Sequence, residues 1–198
     1  MGSPADSLFG TDEVFVEQTF DDLVGEGLSV AGREFQRCLF RRCKLPQSRW
    51  PEARLEDCVF EDCDLTRMAP QALACRGVIF KGSKLMGVEW SGLGALPDLA
   101  FDGCDLRYAS FVDLRLRALK LIGCLAREAN FLGVDLTEAD FSGSDLTGST
   151  ISGCTLAKAN FSGASGVFFD PQKNKCKGAR VAVETAVSLM QSYGVLVE

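Results

Sequence analysis

From Phe101 to Phe161 a large apolar residue stands at every fifth position: Phe101, Leu106, Phe111, Leu116, Leu121, then, past the undersized Ala126, Phe131, Leu136, Phe141, Leu146, Ile151, Leu156 and Phe161. Neither a helix, which repeats at about 3.6 residues, nor a strand, which repeats at about 2, returns on five. A sustained period of its own marks a repeat architecture and leaves few folds open. The residue two before each of these positions is small or apolar, as in Ala129-Asn130-Phe131 and Ala139-Asp140-Phe141. The rhythm is firm from Val30 through Phe35, Phe40, Leu45, Trp50, Leu55, Phe60 and Leu65 to Phe80, Leu85 and Trp90. It can be traced back to Phe15 and Phe20 but is poor through Gly25, where a loop or an irregular first coil is expected. Between Trp90 and Phe101 the phase slips by one residue, inside the glycine- and proline-containing stretch 91–98, which reads as a bulge or an enlarged turn.

A second period lies inside the first. Steps of 20 residues, or 21 across the slip, give Phe20, Phe40, Phe60, Phe80, Phe101, Leu121, Phe141 and Phe161, all Phe but one in a chain with 14 Phe among 198 residues. Four five-residue faces therefore close one coil, and coils stack like on like. At the ~4.8 Å spacing of paired strands, about seven coils give an all-β solenoid on the order of 34 Å long. The expected organisation is a loose lead-in over 1–14, the β-helix over 15–166 with its slip at 91–98, and a C-terminal cap over 167–198.

The cap is foreshadowed by a change of period. Ser165-Gly166 and Asp170-Pro171 are turn chemistry. Val183, Ala186, Val187 and Met190 then recur at helical spacing with Leu189 and Tyr193 on the flank, and Gly194 stands where a helix stop belongs. This predicts a helix that closes the end of the core, with apolar surface left over at Phe168 and Phe169.

Several chemistries are excluded or disfavoured. The chain has no histidine, which removes the commonest general base, and no glycine-rich phosphate loop, so an enzyme is not expected. Its net charge of −6 argues against direct binding to nucleic acid. No long apolar run implies a membrane span, no secretory leader is recognisable, and a cytoplasmic location is expected. Of the nine cysteines, Cys38, Cys43, Cys58, Cys63, Cys104, Cys124 and Cys154 fall two before a central residue, Cys75 is itself central, and Cys176 lies outside. They read as stacked, reduced core thiols; neither a metal nor any other cofactor is expected.

The charges alternate by coil: +4 for 33–52, −3 for 53–72, +2 for 73–93, −3 for 94–113, +3 for 114–133 and −4 for 134–153. Arg41, Glu61, Lys81 and Asp102 form one outward column and Lys44, Asp64, Lys84 and Asp105 another; Arg115 faces Asp135, Lys120 faces Asp140 and Glu138 faces Lys158. These read as ladders of ion pairs that fix the stacking register. Residues 1–32 carry seven acids and no base, so the negative excess sits at the N-terminal end. Two misfits stand out: Ala126 in a leucine column, which needs Leu125 or its neighbours to lean inward, and Pro70 in a central slot, where the coil should be irregular with Trp50 and Trp90 filling around it.

Ala129-Asn130-Phe131, Ala139-Asp140-Phe141, Ser144-Asp145-Leu146 and Ala159-Asn160-Phe161 resemble the A(D/N)LXX pattern of the pentapeptide-repeat family over about residues 15–166. That resemblance implies a right-handed, square-sectioned (quadrilateral) β-helix with two side chains of each five inward. Cys104-Asp105-Leu106-Arg107 with Phe111 and Leu114-Arg115-Leu116, and the tail from Asp170, are similar to the branch that confers resistance to topoisomerase poisons. The resemblance implies a rod that imitates DNA and binds DNA gyrase or topoisomerase IV. Contacts would come from Leu93, Leu96 and Asp98 at the slip and from the acids Asp102, Asp105, Asp135 and Asp145. It also implies a homodimer through Phe168, Phe169, Val183, Ala186, Val187, Met190 and Tyr193. The alternative is a non-enzymatic scaffold for an unrelated protein partner.

Overall fold

The computed structural model describes residues 8–10 and 12–197. Among them run short strands at intervals of one face or one coil: β1 (Val14–Val16), β2 (Thr19–Asp21), β3 (Glu34–Gln36), β4 (Leu39–Arg41), β5 (Arg54–Glu56), β6 (Val59–Glu61), β7 (Ala74–Arg76), β8 (Val78–Lys81), β9 (Leu99–Asp102), β10 (Ser110–Val112), β11 (Lys120–Ile122), β12 (Asn130–Leu132) and β13 (Thr150–Ser152), followed by helix α1 (Val183–Ser192). All pairing is parallel. The sheets run β1-β3-β5-β7, β2-β4-β6-β8-β9-β11 and β10-β12-β13, and isolated bridges such as Lys44↔Asp64 and Asp105↔Leu125 mark the remaining face. The result is a right-handed, four-faced β-solenoid of about seven coils.

The period of five follows from what each position must do. The central residue and the one two before it point inward, and the other three face solvent. The residue two after the centre turns the corner with positive φ: Arg37 at 51°, Asp57 at 52°, Ala118 at 55° and Gly133 at 66° are examples. A left-handed conformation costs a non-glycine residue roughly 1–2 kcal/mol. It is held at most corners by a bond from that N–H to the next coil, as from Asp57 to the Arg76 carbonyl at 2.8 Å.

Register is set by the aromatic columns. Phe20, Phe40, Phe60, Phe80 and Phe101 pair Cα to Cα across β2, β4, β6, β8 and β9, and their rings stack at 4.9, 4.4, 5.0 and 5.4 Å. Trp90, Phe111 and Phe131 form a second stack at 5.9 and 4.9 Å. A slip of one residue would expose every ring.

The first coil is more regular than the sequence suggests. Val24 bridges Lys44 and Ser29 bridges Arg49. The missing side chain at Gly25 is supplied from elsewhere: Leu8 Cδ1 lies 2.7 Å from where a Gly25 Cβ would sit. Phe9, inside the stretch expected to be a loose lead-in, is buried against Phe15, Phe20, Phe35 and Phe40, with Arg33 5.7 Å above its ring. Arg33 stands at an inward position and donates from Nη2 to the Gly10 carbonyl at 3.0 Å. Leu8 and Phe9 thus close the N-terminal end of the core, as a solenoid end requires. Residues 1–7 and Thr11 of that lead-in lie outside the described residues.

The inward cysteines are buried free thiols, and only Cys176 is half-exposed. They do more than fill space. Cys58 Sγ donates to the Phe35 carbonyl at 3.2 Å, Ser83 Oγ to that of Phe60 at 3.2 Å and Ser144 Oγ to that of Leu121 at 2.7 Å, each one coil away. Ser83 and Ser144 in turn accept the N–H of Cys63 and Cys124. Ser, Cys and Asn174 therefore interchange along these columns as suppliers of hydrogen bonds to the backbone. Burial raises the Cys58 thiol to about 11, so it stays protonated.

Candidate functional site

Two interruptions fall at one level of the rod, on adjacent faces. On the tryptophan face Pro70 is buried in its central slot between the fully buried Trp50 and Trp90. It offers no N–H, and the bridges run Ser29–Arg49–Ala69 and resume only at Glu89–Ser110. The Trp90–Gly92 segment instead makes a 3-10 turn, and a Cβ on Gly92 would lie 2.1 Å from the Pro70 carbonyl oxygen.

On the next face the slip has its effect. Leu73 bridges Leu93, but Leu99 then pairs with Val78, so six residues span what five span elsewhere. The extra residue cannot be accommodated inward. Leu96 turns out at φ 53° and is 73% exposed, Ala95 and Asp98 are exposed, and the four-stranded sheet ends at β7. Depressions of about 500 and 520 Å³ flank Leu96, the first reaching Leu114 and Arg115 above and the second Arg54, Ala74 and Arg76 below.

The residues nominated as contacts are not gathered into one patch. Leu93, Leu96 and Asp98 lie at the slip; Asp135 is on the same face two coils on; Asp102 belongs to the phenylalanine face; Asp105 and Asp145 share a third, separated by Leu125. Several of the acids are already neutralised. Arg107 grips Asp105 through two bonds of 2.9 and 2.7 Å and holds its carboxyl below the usual range. The Thr147 side chain, the Thr147 N–H at 3.0 Å and Arg127 at 2.6 Å together bring Asp145 down to about 2. Asp135 is paired with Arg117 at 3.5 Å rather than with Arg115 directly below it. Asp98 and Asp102 carry no ion pair among the described residues.

The acidic N-terminal end is likewise offset by the coil that follows. Arg37, Arg41 and Arg42 reach Glu17, Asp21 and Asp22 at 2.9, 2.7 and 2.7 Å. Column neighbours elsewhere are opposite in sign, as Lys44–Asp64–Lys84–Asp105 are in the bridge register. Fewer of them close into direct contact than the columns suggest, because diagonal arginines compete for the same carboxylates. Leu125 is exposed and does not lean in over Ala126.

At the other end, Phe169 packs on Phe161 at 5.6 Å between ring centroids and belongs to the core, not to an outer contact; its neighbour Phe168 is half exposed. Helix α1 is anchored through Leu189, its one buried side chain, and not through the stripe Val183, Ala186, Val187 and Met190 expected to face the core. The Tyr193 hydroxyl at the helix end donates to Asp170, and Val183, Ala186 and Met190 are exposed with Val187 half-buried. Gly194, at φ 77°, stops the helix, with the Val195 N–H bonded back to the Met190 carbonyl. Val195, Leu196 and Val197 extend the apolar surface, Leu196 being 89% exposed. No group of side chains suited to a metal ion and no helix long and apolar enough to cross a membrane occurs among the described residues.

A parallel solenoid with four five-residue faces per coil, phenylalanine columns and left-handed corners defines a narrow class. The sequence model for pentapeptide repeats matches residues 34–67 and 115–153 in 8 copies, so these two stretches of the chain are pentapeptide repeats. Its fold is similar to that of a trypsin-treated QnrB1, a plasmid-mediated fluoroquinolone resistance protein, at a TM-score of 0.57 and 20% identity over 93% of this chain and 97% of that one. It is also similar to HetL, a pentapeptide-repeat protein of heterocyst differentiation regulation from the cyanobacterium Nostoc, at 0.54 and 15% identity over 85% and 89%. Full-length QnrB1 superposes at 0.50 with 16% identity. No curated protein sequence matches the chain.

Proposed function

We propose that this protein binds a type II DNA topoisomerase, DNA gyrase in the first instance, and protects it from a poison. The observation that carries this reading is the rod itself: a solenoid of QnrB1-like fold over 93% of the chain, carrying its principal surface irregularity at the slip. The protein acts without catalysis in this reading. Contact is made by Leu93, Leu96 and Asp98 at the slip and by the unpaired Asp102. The arginine-bound Asp105, Asp135 and Asp145 contribute shape and register more than free negative charge. Two copies associate through Phe168, Val183, Met190, Tyr193 and the 195–197 segment, which would cover apolar surface that the core leaves open.

The test is a supercoiling assay with purified gyrase, titrated with this protein in the presence and absence of a quinolone and of an unrelated gyrase poison. Restored supercoiling with one poison is the expected result. Inhibition without protection would retain the contact and remove the protective role, and no effect at tens of micromolar would reject the gyrase reading. A second reading, a regulatory scaffold for an unrelated protein, draws support from the likeness to HetL and from the alternation of charge, which leaves no uniformly acidic surface. Leu196→Asp tests self-association: the sedimentation coefficient should fall from that of a dimer to that of a monomer with the circular dichroism unchanged.

A further inference from the structure

The six-stranded sheet β2-β4-β6-β8-β9-β11 is the longest of the rod, and its outward side differs from that of the other faces. The position before each central residue holds Leu39, Val59, Ile79 and Ala100 in β4, β6, β8 and β9, in Cα register and half-buried. On the neighbouring faces that position carries charge at these levels, as in Glu34 and Arg54, Lys44 and Asp64, or Arg49 and Glu89. An apolar stripe therefore runs up this face alone, between two columns of alternating charge. One column is Arg41, Glu61, Lys81 and Asp102; the other, at the corner, is Arg37, Asp57, Gly77 and Asp98. Glu61, Lys81 and Asp102 are Cα partners in turn, yet none of them closes an ion pair among the described residues. Their charges are available to a partner outside the chain.

We propose that this face takes the same face of a second copy, turned end for end about a two-fold axis that runs along the strands between β6 and β8. That axis lays β6 over β8, β4 over β9 and β2 over β11 of the copy, so the whole sheet is covered. Val59 then meets Ile79, and Leu39 meets Ala100. Glu61 faces Lys81, Arg41 faces Asp102 and Arg37 faces Asp98, each pair occurring twice. The corner acids Asp57 and Asp62 face Gly77 and Gly82, and each already folds over that glycine in its own chain. No two like charges are opposed. The alternation of sign selects this arrangement. An axis on β8 would set Lys81 against Lys81 and Glu61 against Asp102, and a parallel copy would set Arg41 against Arg37 and Glu61 against Asp57. An axis between β4 and β6 keeps the signs opposed but sets Ile79 on Thr19 and leaves Ala100 uncovered. The face measures about 29 by 16 Å, or about 900 Å² over two copies. That is below the standard size of a stable interface, so the association is weak and reversible. It is separate from the tail contact and from gyrase binding, and it covers Asp102.

The test is sedimentation equilibrium of the full chain carrying Leu196→Asp, which disables the tail contact, at concentrations up to about 1 mM. The expected result is a reversible monomer–dimer equilibrium that weakens as salt is added. Glu61→Lys and Lys81→Glu should each weaken it about tenfold, with circular dichroism unchanged, because like charges then meet twice in every dimer. Mixed in equal amounts, the two variants should pair with each other at the parent strength, since every contact between positions 61 and 81 is again opposite in sign. Ile79→Asp should abolish the association. No dimer at about 1 mM overturns the proposal. So does association that Glu61→Lys and Lys81→Glu leave unchanged, which would belong to the tail or to another face. A mixture that associates no more tightly than either variant alone also overturns it, because the two positions would then not face each other.

Discussion

Replacing Phe9 by Ala tests whether the lead-in is part of the fold. The ring is buried against four phenylalanines of the first two coils, and beneath it the core column would otherwise open to water. A fully buried Phe removes about 200 Å² from solvent, worth about 5 kcal/mol at 25 cal/mol/Å². The site is at an end, where water can enter the space left, so the lower part of the measured Phe→Ala range applies, about 3 kcal/mol. In a solenoid this loss should not spread evenly, because each coil contacts only its neighbours. Hydrogen exchange should rise sharply in peptides covering β1 to β4 and stay at the wild-type level in those covering β12 and β13. Urea denaturation should show an early phase or an earlier midpoint. A stability change below about 1 kcal/mol, or exchange that rises equally along the rod, would refute the capping role.

Gly92→Ala places a methyl against the Pro70 carbonyl and should cost about 1–3 kcal/mol by overpacking, read as a lowered thermal midpoint. Ala118→Gly, at a corner with φ 55°, should instead stabilise by about 0.5–1 kcal/mol despite the added freedom of the unfolded chain, measurable in the same assay. For Asp145, bonded to Thr147 and Arg127, the folded pKa of about 2 lies below the usual carboxylate value. Its stabilisation is therefore complete above about pH 4 and lost as pH falls toward 2. With solvent screening at Arg127 this amounts to about 1 kcal/mol, and the melting curves of wild type and Asp145→Asn should converge over that window. Curves that stay equally separated from pH 6 to pH 2 would reject the role.

The solenoid is legible because each coil repeats the same instruction. Phe20, Phe40, Phe60 and Phe80 stack only if the chain returns every 20 residues, and one error in register would cost every ring at once. The glycines that recur two after the centre, such as Gly77, Gly123 and Gly133, are the visible trace of the left-handed corners. The signal is muted because Arg37, Asp57 and Ala118 adopt the same conformation under backbone restraint. Single events were less legible. Phe9 plugging the first coil and Leu8 filling the space at Gly25 have no periodic partner to announce them. The Tyr193–Asp170 bond that ties the end of α1 to the chain before it joins residues 23 apart, a contact that no helical period encodes. The acids proved hardest to read. A column predicts which residues are neighbours, but the choice of Arg117 over Arg115 for Asp135 turns on side-chain reach.

That last point bears on how such a rod can be recognised. When Asp21, Asp22, Asp105, Asp135 and Asp145 are each held by an arginine, approach to a cationic surface gains less than the count of carboxylates implies, since each pair must be broken or carried along. Specificity must then draw on features that occur once. A repeat makes most of the surface equivalent to itself, so a partner sliding by one coil meets nearly the same neighbours with the charge sign reversed. That reversal opposes sliding, and the paired breaks at Pro70 and 94–98 supply the fixed point. Register along the rod is thus read from the place where the repeat fails, and a coil inserted between that level and the tail should move a bound partner relative to the tail by one spacing of about 4.8 Å.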